Sequence, residues 1–340
     1  MRRRAFIKIL GGSAAAWPLK ASAQQAANLP LVAIITPFTE DNALERAAAL
    51  RLGLKQAGFI EGTHYALALR FANGDYARFP ELASELDALK PRVFVVMASG
   101  ALIAATRKQA PDTPLVFAGI AADPIAAGYA ESYARPGGMM TGAVMNAVGG
   151  EESLTSKRIG FFKQLVPGLT RLGMIGLADS VNPAPFANLA ISERNALRNA
   201  SAHFGFEFLR YDIKALDDFE DAVSSGLRDD VSAFYISGDT RMNLDIPRVV
   251  ASLAKSGKPT CAVYPFWARA GLLMSYSTDP NDGMRRVGFQ VAKIIQGAKP
   301  GELPIEQAVK FTFLINLKTA KQLGIIPSPT LLAEADEVIE

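Results

Sequence analysis

The chain has 340 residues, 49% of them apolar and 20% charged, with 28 glycines and 20 prolines scattered without period. That composition excludes a disordered or collagen-like polymer, and no run approaches the roughly 18 apolar residues of a membrane span. The formal net charge of +3 belongs to the N-terminus: residues 1–23 hold five of the 36 basic residues and no acid, which leaves 31 basic against 33 acidic residues, or −2, for the rest. A near-neutral body gives no electrostatic case for nucleic-acid binding.

Residues 1–23 read as a secretory signal. Arg2-Arg3-Arg4 form a basic start, a short apolar stretch runs from Ile9 through Trp17, and Ala21-Ser22-Ala23 fits the small-x-small cleavage pattern. Arg3-Arg4-Ala5-Phe6-Ile7-Lys8 also matches the twin-arginine export motif, although ordinary signals are basic too. A periplasmic chain beginning near Gln24 is expected. Cys261 is the single cysteine, so no internal disulfide forms and stability must come from the core of roughly 317 residues.

After the signal, strands and helices alternate. Leu31 to Ile35 is a continuous apolar run, as in a parallel strand covered on both faces, and a helix follows from about Asn42 to Gln56, with Gly58 placed to end it. Tyr65–Phe71 is a strand, Pro80 opens a helix, Val93–Met97 is a strand, 101–109 a helix and Leu115–Phe117 a strand. After Gly149-Gly150 the pattern restarts: strand Leu172–Leu177, helix 186–203, strand Phe206–Tyr211, helix 217–227, strand Ala233–Ile236, helix 245–256 and strand Thr260–Val263. A strand at Leu272–Tyr276, a long helix at 283–296 and a strand at 309–316 follow. Two α/β series of similar length predict two doubly wound, Rossmann-like lobes with a cleft between them. The expected division is 24–148 plus about 272–303 for the first lobe, and 149–271 plus about 304–340 for the second.

In open parallel sheets ligands bind beyond the carboxyl ends of the strands. Those positions read Thr36-Pro37-Phe38, Ser99-Gly100, Gly119 through Asp123, Asp179 through Asn182, Ser237 through Thr240, and Tyr264 through Trp267. Small polar residues that start helices offer backbone N–H groups to an anion, and the aromatic rings can wall an organic side chain. The same residues also serve as ordinary helix caps and turns; the joint pattern across both series favours binding.

Catalytic constellations are absent. His64 begins a strand and His203 ends a helix, and no HExxH, CxxC, P-loop or GxSxG motif occurs. Asp123, Asp239, Asp279 and Asp282 supply carboxylates for an acid–base pair, but Asp279-Pro280-Asn281-Asp282-Gly283 reads as a turn and helix cap. No catalytic residue, metal ligand or cofactor is expected.

The chain resembles the substrate-binding proteins of ABC transporters, in particular the subfamily that includes tryptophan-binding members. The resemblance rests on Arg3-Arg4-Ala5-Phe6-Ile7 with Gly11-Gly12, Ala57-Gly58-Phe59-Ile60-Glu61-Gly62, Phe117-Ala118-Gly119-Ile120-Ala121-Ala122-Asp123-Pro124, and Arg135-Pro136-Gly137-Gly138-Met139-Met140-Thr141-Gly142. Gly271 to Tyr276, Gly297 to Pro304 and Ile315 to Lys321 continue it toward the end. It implies a type I periplasmic-binding-protein fold with three crossovers and no catalysis. It further implies a monomeric receptor that closes on a small molecule and delivers it to permease subunits in the inner membrane. Two other classes stand beside it: a sensor subunit presenting ligand to a membrane receptor, and a hydrolase using Asp239 or Asp123. Where relatives often carry small residues after the first strand this chain has Thr36-Pro37-Phe38, so their ligand does not transfer directly.

The expected ligand is an amino acid or related organic acid, aromatic ones included. Ser99 with the Gly100 and Ala101 N–H groups would hold its carboxylate, Asp123 or Asp239 an amino group, and Phe38 and Tyr264 would flank the side chain from opposite lobes. Thr36, Gly119, Asn182 and Gly238 complete the expected site.

Overall fold

A computed structural model describes residues 29–120, 123–145, 150–181 and 189–340. The expected signal and Asn182 lie outside these residues. The first sheet contains β1 (Leu31–Thr36), β2 (Ala66–Phe71), β3 (Val93–Met97), β4 (Leu115–Ile120) and β5 (Met140–Val144), in the order β2-β1-β3-β4-β5 and parallel throughout. Its helices are α1 (Glu40–Gln56), α2 (Phe79–Asp87) and α3 (Gly100–Gln109).

The apolar runs are continuous because the sheet is covered on both sides. Val32, Ile34, Val93 and Val95 pack with Ala43, Ala47, Leu50 and Leu54 of α1. Ala33, Ile35, Phe94 and Val96 pack on the other face with Leu82 and Leu86 of α2 and Leu102 and Ile103 of α3. Alternate side chains of one strand thus feed two cores, which is what period-two geometry requires.

The second sheet contains β6 (Arg171–Leu177), β7 (Glu207–Ile213), β8 (Ala233–Ile236), β9 (Thr260–Ala262), β10 (Met274–Thr278), β11 (Phe311–Asn316) and β12 (Glu337–Ile339). Its order is β12-β11-β10-β9-β8-β6-β7, parallel apart from β10 against β11. Helices α4 (Gly150–Leu165), α5 (Leu189–Phe204), α6 (Phe219–Arg228), α7 (Ile246–Ser256) and α8 (Pro265–Ala270) accompany it.

The strand near 272–276 does not belong with the first lobe, where the sequence placed it. Met274 and Ser275 pair with Cys261 and Ala262, so the chain leaves the second sheet only after Thr278. Helix α9 (Pro280–Ile295) then returns to the first sheet, where Met284, Val287, Val291 and Ile294 join the α1 core. The chain stays there through Glu306, whose N–H donates to the Gly142 carbonyl at 2.9 Å, and it re-enters the second sheet at Phe311. Two crossings run side by side: the Asp279 N–H donates to the Lys310 carbonyl at 2.9 Å. Helices α10 (Leu317–Gln322) and α11 (Pro329–Glu334) complete the C-terminal region beside β12.

Helices α1 and α9 cross in near backbone contact. A Cβ on Gly53 would lie 1.9 Å from the Arg285 carbonyl oxygen, and one on Gly288 would lie 2.7 Å from that of Leu50. Gly283, on the same α9, has open space around it. Gly53→Ala should therefore lower the unfolding free energy in urea by about 1–3 kcal/mol through overpacking. Gly283→Ala should raise it by roughly 0.5–1 kcal/mol, because it only restricts the unfolded chain. Equal effects of the two substitutions would contradict the close crossing.

Candidate functional site

The carboxyl ends of β1, β3 and β4 form one wall of a cleft. Thr36 is fully buried at the end of β1, and its hydroxyl accepts the Phe38 N–H at 3.2 Å, which turns the chain and packs the Phe38 ring inward. Ala98 follows β3 at φ 53, a left-handed conformation that a non-glycine residue adopts only under constraint. That turn sets Ser99 as the N-cap of α3, its Oγ accepting the Leu102 N–H at 3.3 Å, with Gly100 and Ala101 as the first helical residues. The Gly100 carbonyl accepts from the Tyr129 hydroxyl at 3.3 Å. Gly119, at φ 69, lies against Met145.

Asp123 is exposed and caps its own turn, accepting the Ile125 N–H at 2.8 Å. Its Oδ1 also accepts the Ala126 N–H at 3.4 Å, so one carboxylate oxygen is used by the local turn.

The facing wall comes from β8 and β9. The Gly238 N–H donates to Glu193 at 2.8 Å, and the Gly238 carbonyl accepts from the Tyr264 hydroxyl at 3.2 Å. Tyr264 is buried and stacks on Phe266, ring centroids 5.3 Å apart. Asp239 is also buried, but it meets the cleft already paired. Arg241 reaches back over two residues and donates Nε and Nη2 to the two Asp239 oxygens at 3.0 and 2.8 Å. The expectation of a free Asp239 carboxylate is corrected by this fork, which neutralises it. The Arg241 guanidinium also lies 4.8 Å from the Tyr76 ring centroid, a contact from one lobe to the other.

Phe38 and Tyr264 do approach one point from opposite lobes, and that point is occupied by a cation. The Arg46 guanidinium sits 3.9 Å from the Phe38 centroid and 5.9 Å from that of Tyr264. Two hollows border it. One, of about 20 Å³, lies among Met97, Ala98, Gly119 and Tyr264 and has room for about one water. The other, of about 420 Å³, opens beside the crossings between Phe38, Asn243, Phe266 and Phe311.

Behind the second wall lies a buried ionic network. Arg158 is fully buried; its Nε donates to the Tyr276 carbonyl at 2.6 Å, and its Nη1 to the Tyr235 hydroxyl at 2.6 Å and to Glu151 at 3.3 Å. Glu193, equally buried, accepts from the Tyr235 hydroxyl at 2.6 Å and lies 3.8 Å from Arg158. Two carboxylates thus share one guanidinium. Burial first, and Glu151 second, push the Glu193 carboxyl up to about 8.

Sequence reasoning named neither Arg46 nor this network. Arg46 carried a signal: it falls on the inward stripe Ala43, Ala47, Leu50, Leu54 of α1, where a charge is out of place. Arg158 and Glu193 sit on helix faces whose polar inward residues hide the usual apolar period.

The raised Glu193 value has a consequence for stability. Folded Glu193 holds a proton that the unfolded chain releases, so its contribution is complete below its ordinary 4.5 and is lost as pH rises toward about 8. The loss amounts to at most about 1.4 kcal/mol per pH unit. Urea unfolding across this window should show the decline in the wild-type chain and a flatter profile in Glu193→Gln; parallel profiles would disprove it.

The family model "ABC transporter substrate binding protein" matches residues 31–339. The chain is similar to a tyrosine-binding protein of Clostridioides difficile (strain R20291), 20% identical over 293 residues, covering 86% of this chain and 80% of the relative. Among solved structures it resembles a conserved domain protein from Vibrio cholerae O1 biovar El Tor, with TM-score 0.80, 21% identity, and 92% of this chain and 100% of that one covered. It also resembles an ABC domain in complex with L-Trp from Streptococcus pneumoniae, with TM-score 0.75, 20% identity, and 91% and 100% covered. The two structural likenesses agree with the two-sheet α/β fold described above. With nearly the whole described length matched by the family model, the chain belongs to the ABC transporter substrate-binding protein family.

Proposed function

We propose that the chain is an exported receptor that closes on one amino acid between its two lobes and hands it to a membrane permease. The observation that carries this reading is the pair of strand-end walls, one from each sheet, that face each other across the cleft. In this reading Phe38 and Tyr264 flank the ligand, and Thr36, Ser99, Gly100, Ala101, Gly119 and Gly238 line the walls around it. The first lobe is 29–144 completed by α9 and the segment to about 306, and the second is 150–278 completed by about 307–340. The tyrosine and L-Trp named for the relatives favour an aromatic side chain.

Hinge closure follows from the covalent plan. The crossings join the two walls covalently, and a ligand that touches both walls is held more tightly by the closed form and shifts the balance toward it. The Arg241 guanidinium over the Tyr76 ring adds a contact between the lobes.

Thermal unfolding of the mature chain against the common amino acids tests the reading. L-tyrosine or L-tryptophan at about 100 times its dissociation constant should add roughly 2.7 kcal/mol of stability. No shift with any amino acid would overturn the ligand class, and conversion of a hit into product would move the chain to the hydrolase class. Export has its own test. Intact-mass measurement on protein from a periplasmic extract should find a chain beginning near Gln24, and an uncleaved chain confined to the cytoplasm would refute it.

A further inference from the structure

We propose that Arg46 is the carboxylate anchor of the ligand, with Asn243 of the opposite lobe as a second donor and Asn281 as the acceptor for its amino group. This rests on the reading of the chain as an amino-acid receptor and places the polar end of the ligand beside the crossings, away from Ser99 and Asp239.

The inference starts from groups left without partners. Arg46 is only 9% exposed, yet among the described residues it has neither an ion pair nor a hydrogen bond, only the faces of Phe38 and Tyr264. A buried cation in that state is costly, and burial pulls its guanidinium below the ordinary value. The other cations around the 420 Å³ cavity are paired: Lys310 with Asp279 at 2.9 Å, and Arg269 with Glu337 at 2.7 Å. Arg46 is the cation lining this cavity that makes no ion pair among the described residues; Glu45, beside it on α1, acts on it only at longer range.

Asn243 is 5% exposed, lines the same cavity from the second lobe, and has no hydrogen bond on either amide atom. Asn281, at the start of α9, donates its Nδ2 to Glu45 at 2.7 Å while its Oδ1 is buried and unpartnered. Buried polar atoms are ordinarily satisfied, so three unpaired groups around one hollow mark a place built for something polar. A guanidinium with an amide N–H suits a carboxylate, and an amide oxygen next to Glu45 suits an ammonium group. Phe266 and Phe311 provide the apolar surface, and the volume falls in the roughly 300–1,000 Å³ range of small-molecule sites.

Calorimetry with the mature chain provides the test, using two pairs of probes that differ by the carboxylate: L-tyrosine against tyramine, and L-tryptophan against tryptamine. The wild-type chain should bind the amino acid and discriminate against the amine. Arg46→Met should weaken the amino acid by roughly ten- to a hundredfold, the range of a charge-assisted hydrogen bond, and leave the amine unchanged. Arg46→Lys should recover part of the loss, and Asn243→Asp should weaken the amino acid by repelling its carboxylate. The ligand-free Tm of Arg46→Met should equal or exceed that of the wild type, because an unpaired buried charge is gone; a purely structural arginine would lower it. If Arg46→Met keeps the wild-type ratio of amino acid to amine, Arg46 is not the anchor and the receptor reading survives. If the wild-type chain binds neither probe pair nor any other amino acid, the receptor reading falls and this inference falls with it.

Discussion

The cleft depends on one backbone contact more than on any side chain. Where the Asp279 N–H meets the Lys310 carbonyl, two crossings between the sheets lie side by side, and the separation of the walls is set there. Asp279 is also the N-cap of α9, accepting the Asn281 and Asp282 N–H groups at 2.9 and 3.2 Å, and its carboxylate receives Lys310. A crossing strand, a helix start and an ion pair therefore converge on one residue. The helix that begins there is the one that locks onto α1 through Gly53 and Gly288, and α1 carries Arg46. The position of the cation in the cleft is thus tied, through the close α1–α9 crossing, to the place where the two crossings meet.

The second wall is held by different physics. Its loop Ser237-Gly238-Asp239 has little apolar surface to pack, so it is fixed by hydrogen bonds to Glu193 and Tyr264 and by the Arg241 fork. An arrangement of two buried carboxylates on one guanidinium is weak evidence for stability, since desolvation offsets most of the Coulomb gain. Directional bonds to the loop are what an apolar replacement would lose. The wall that must present a defined backbone to a ligand is also the wall backed by polar groups.

Much of this was legible in the sequence, and the limits have physical causes. The central strands of both sheets announce themselves as continuous apolar runs because each is covered on two faces, whereas the short, half-buried edge strand β12 gives no such run and went unforeseen. Strand β5 does not either: Gly142, whose Cβ would lie 2.1 Å from the Phe117 carbonyl oxygen, and the buried Thr141 interrupt the pattern. Helix α4 escapes because Glu151, Thr155 and Arg158 occupy its inward face. Strand β10 was visible as a strand, but the sheet it joins is decided by pairing with Cys261 and Ala262, which no local pattern encodes. The strand-end rule named Thr36, Phe38, Ser99, Gly238 and Tyr264, which stand at or just past the carboxyl ends of β1, β3, β8 and β9. It could not show that Arg241 folds back on Asp239 or that Asp123 caps its own turn through Oδ1, since both depend on loop conformation. Arg46 was readable as a charge on an apolar stripe, a misfit that helix periodicity alone can flag.

That misfit also bears on how closure and selectivity are linked. A guanidinium stacked on one ring recovers only part of its lost hydration, for a cation–π contact supplies about 2 kcal/mol when desolvated, against a penalty of several kcal/mol per buried ion. In the proposed receptor, the closed cleft without ligand carries a deficit at Arg46, in the lobe built on the first sheet, and a smaller one at Asn243, in the lobe built on the second. Opening the cleft hydrates both groups and removes the deficit. An anion placed between them removes it as well, but only while the walls are together. A molecule of the same shape without a carboxylate, such as the corresponding amine, fills the volume and leaves the deficit in place. In the proposed receptor the same desolvated charge disfavours empty closure and makes productive closure depend on a carboxylate in what is bound, so that one residue on a helix face bears on both the resting state and the class of ligand.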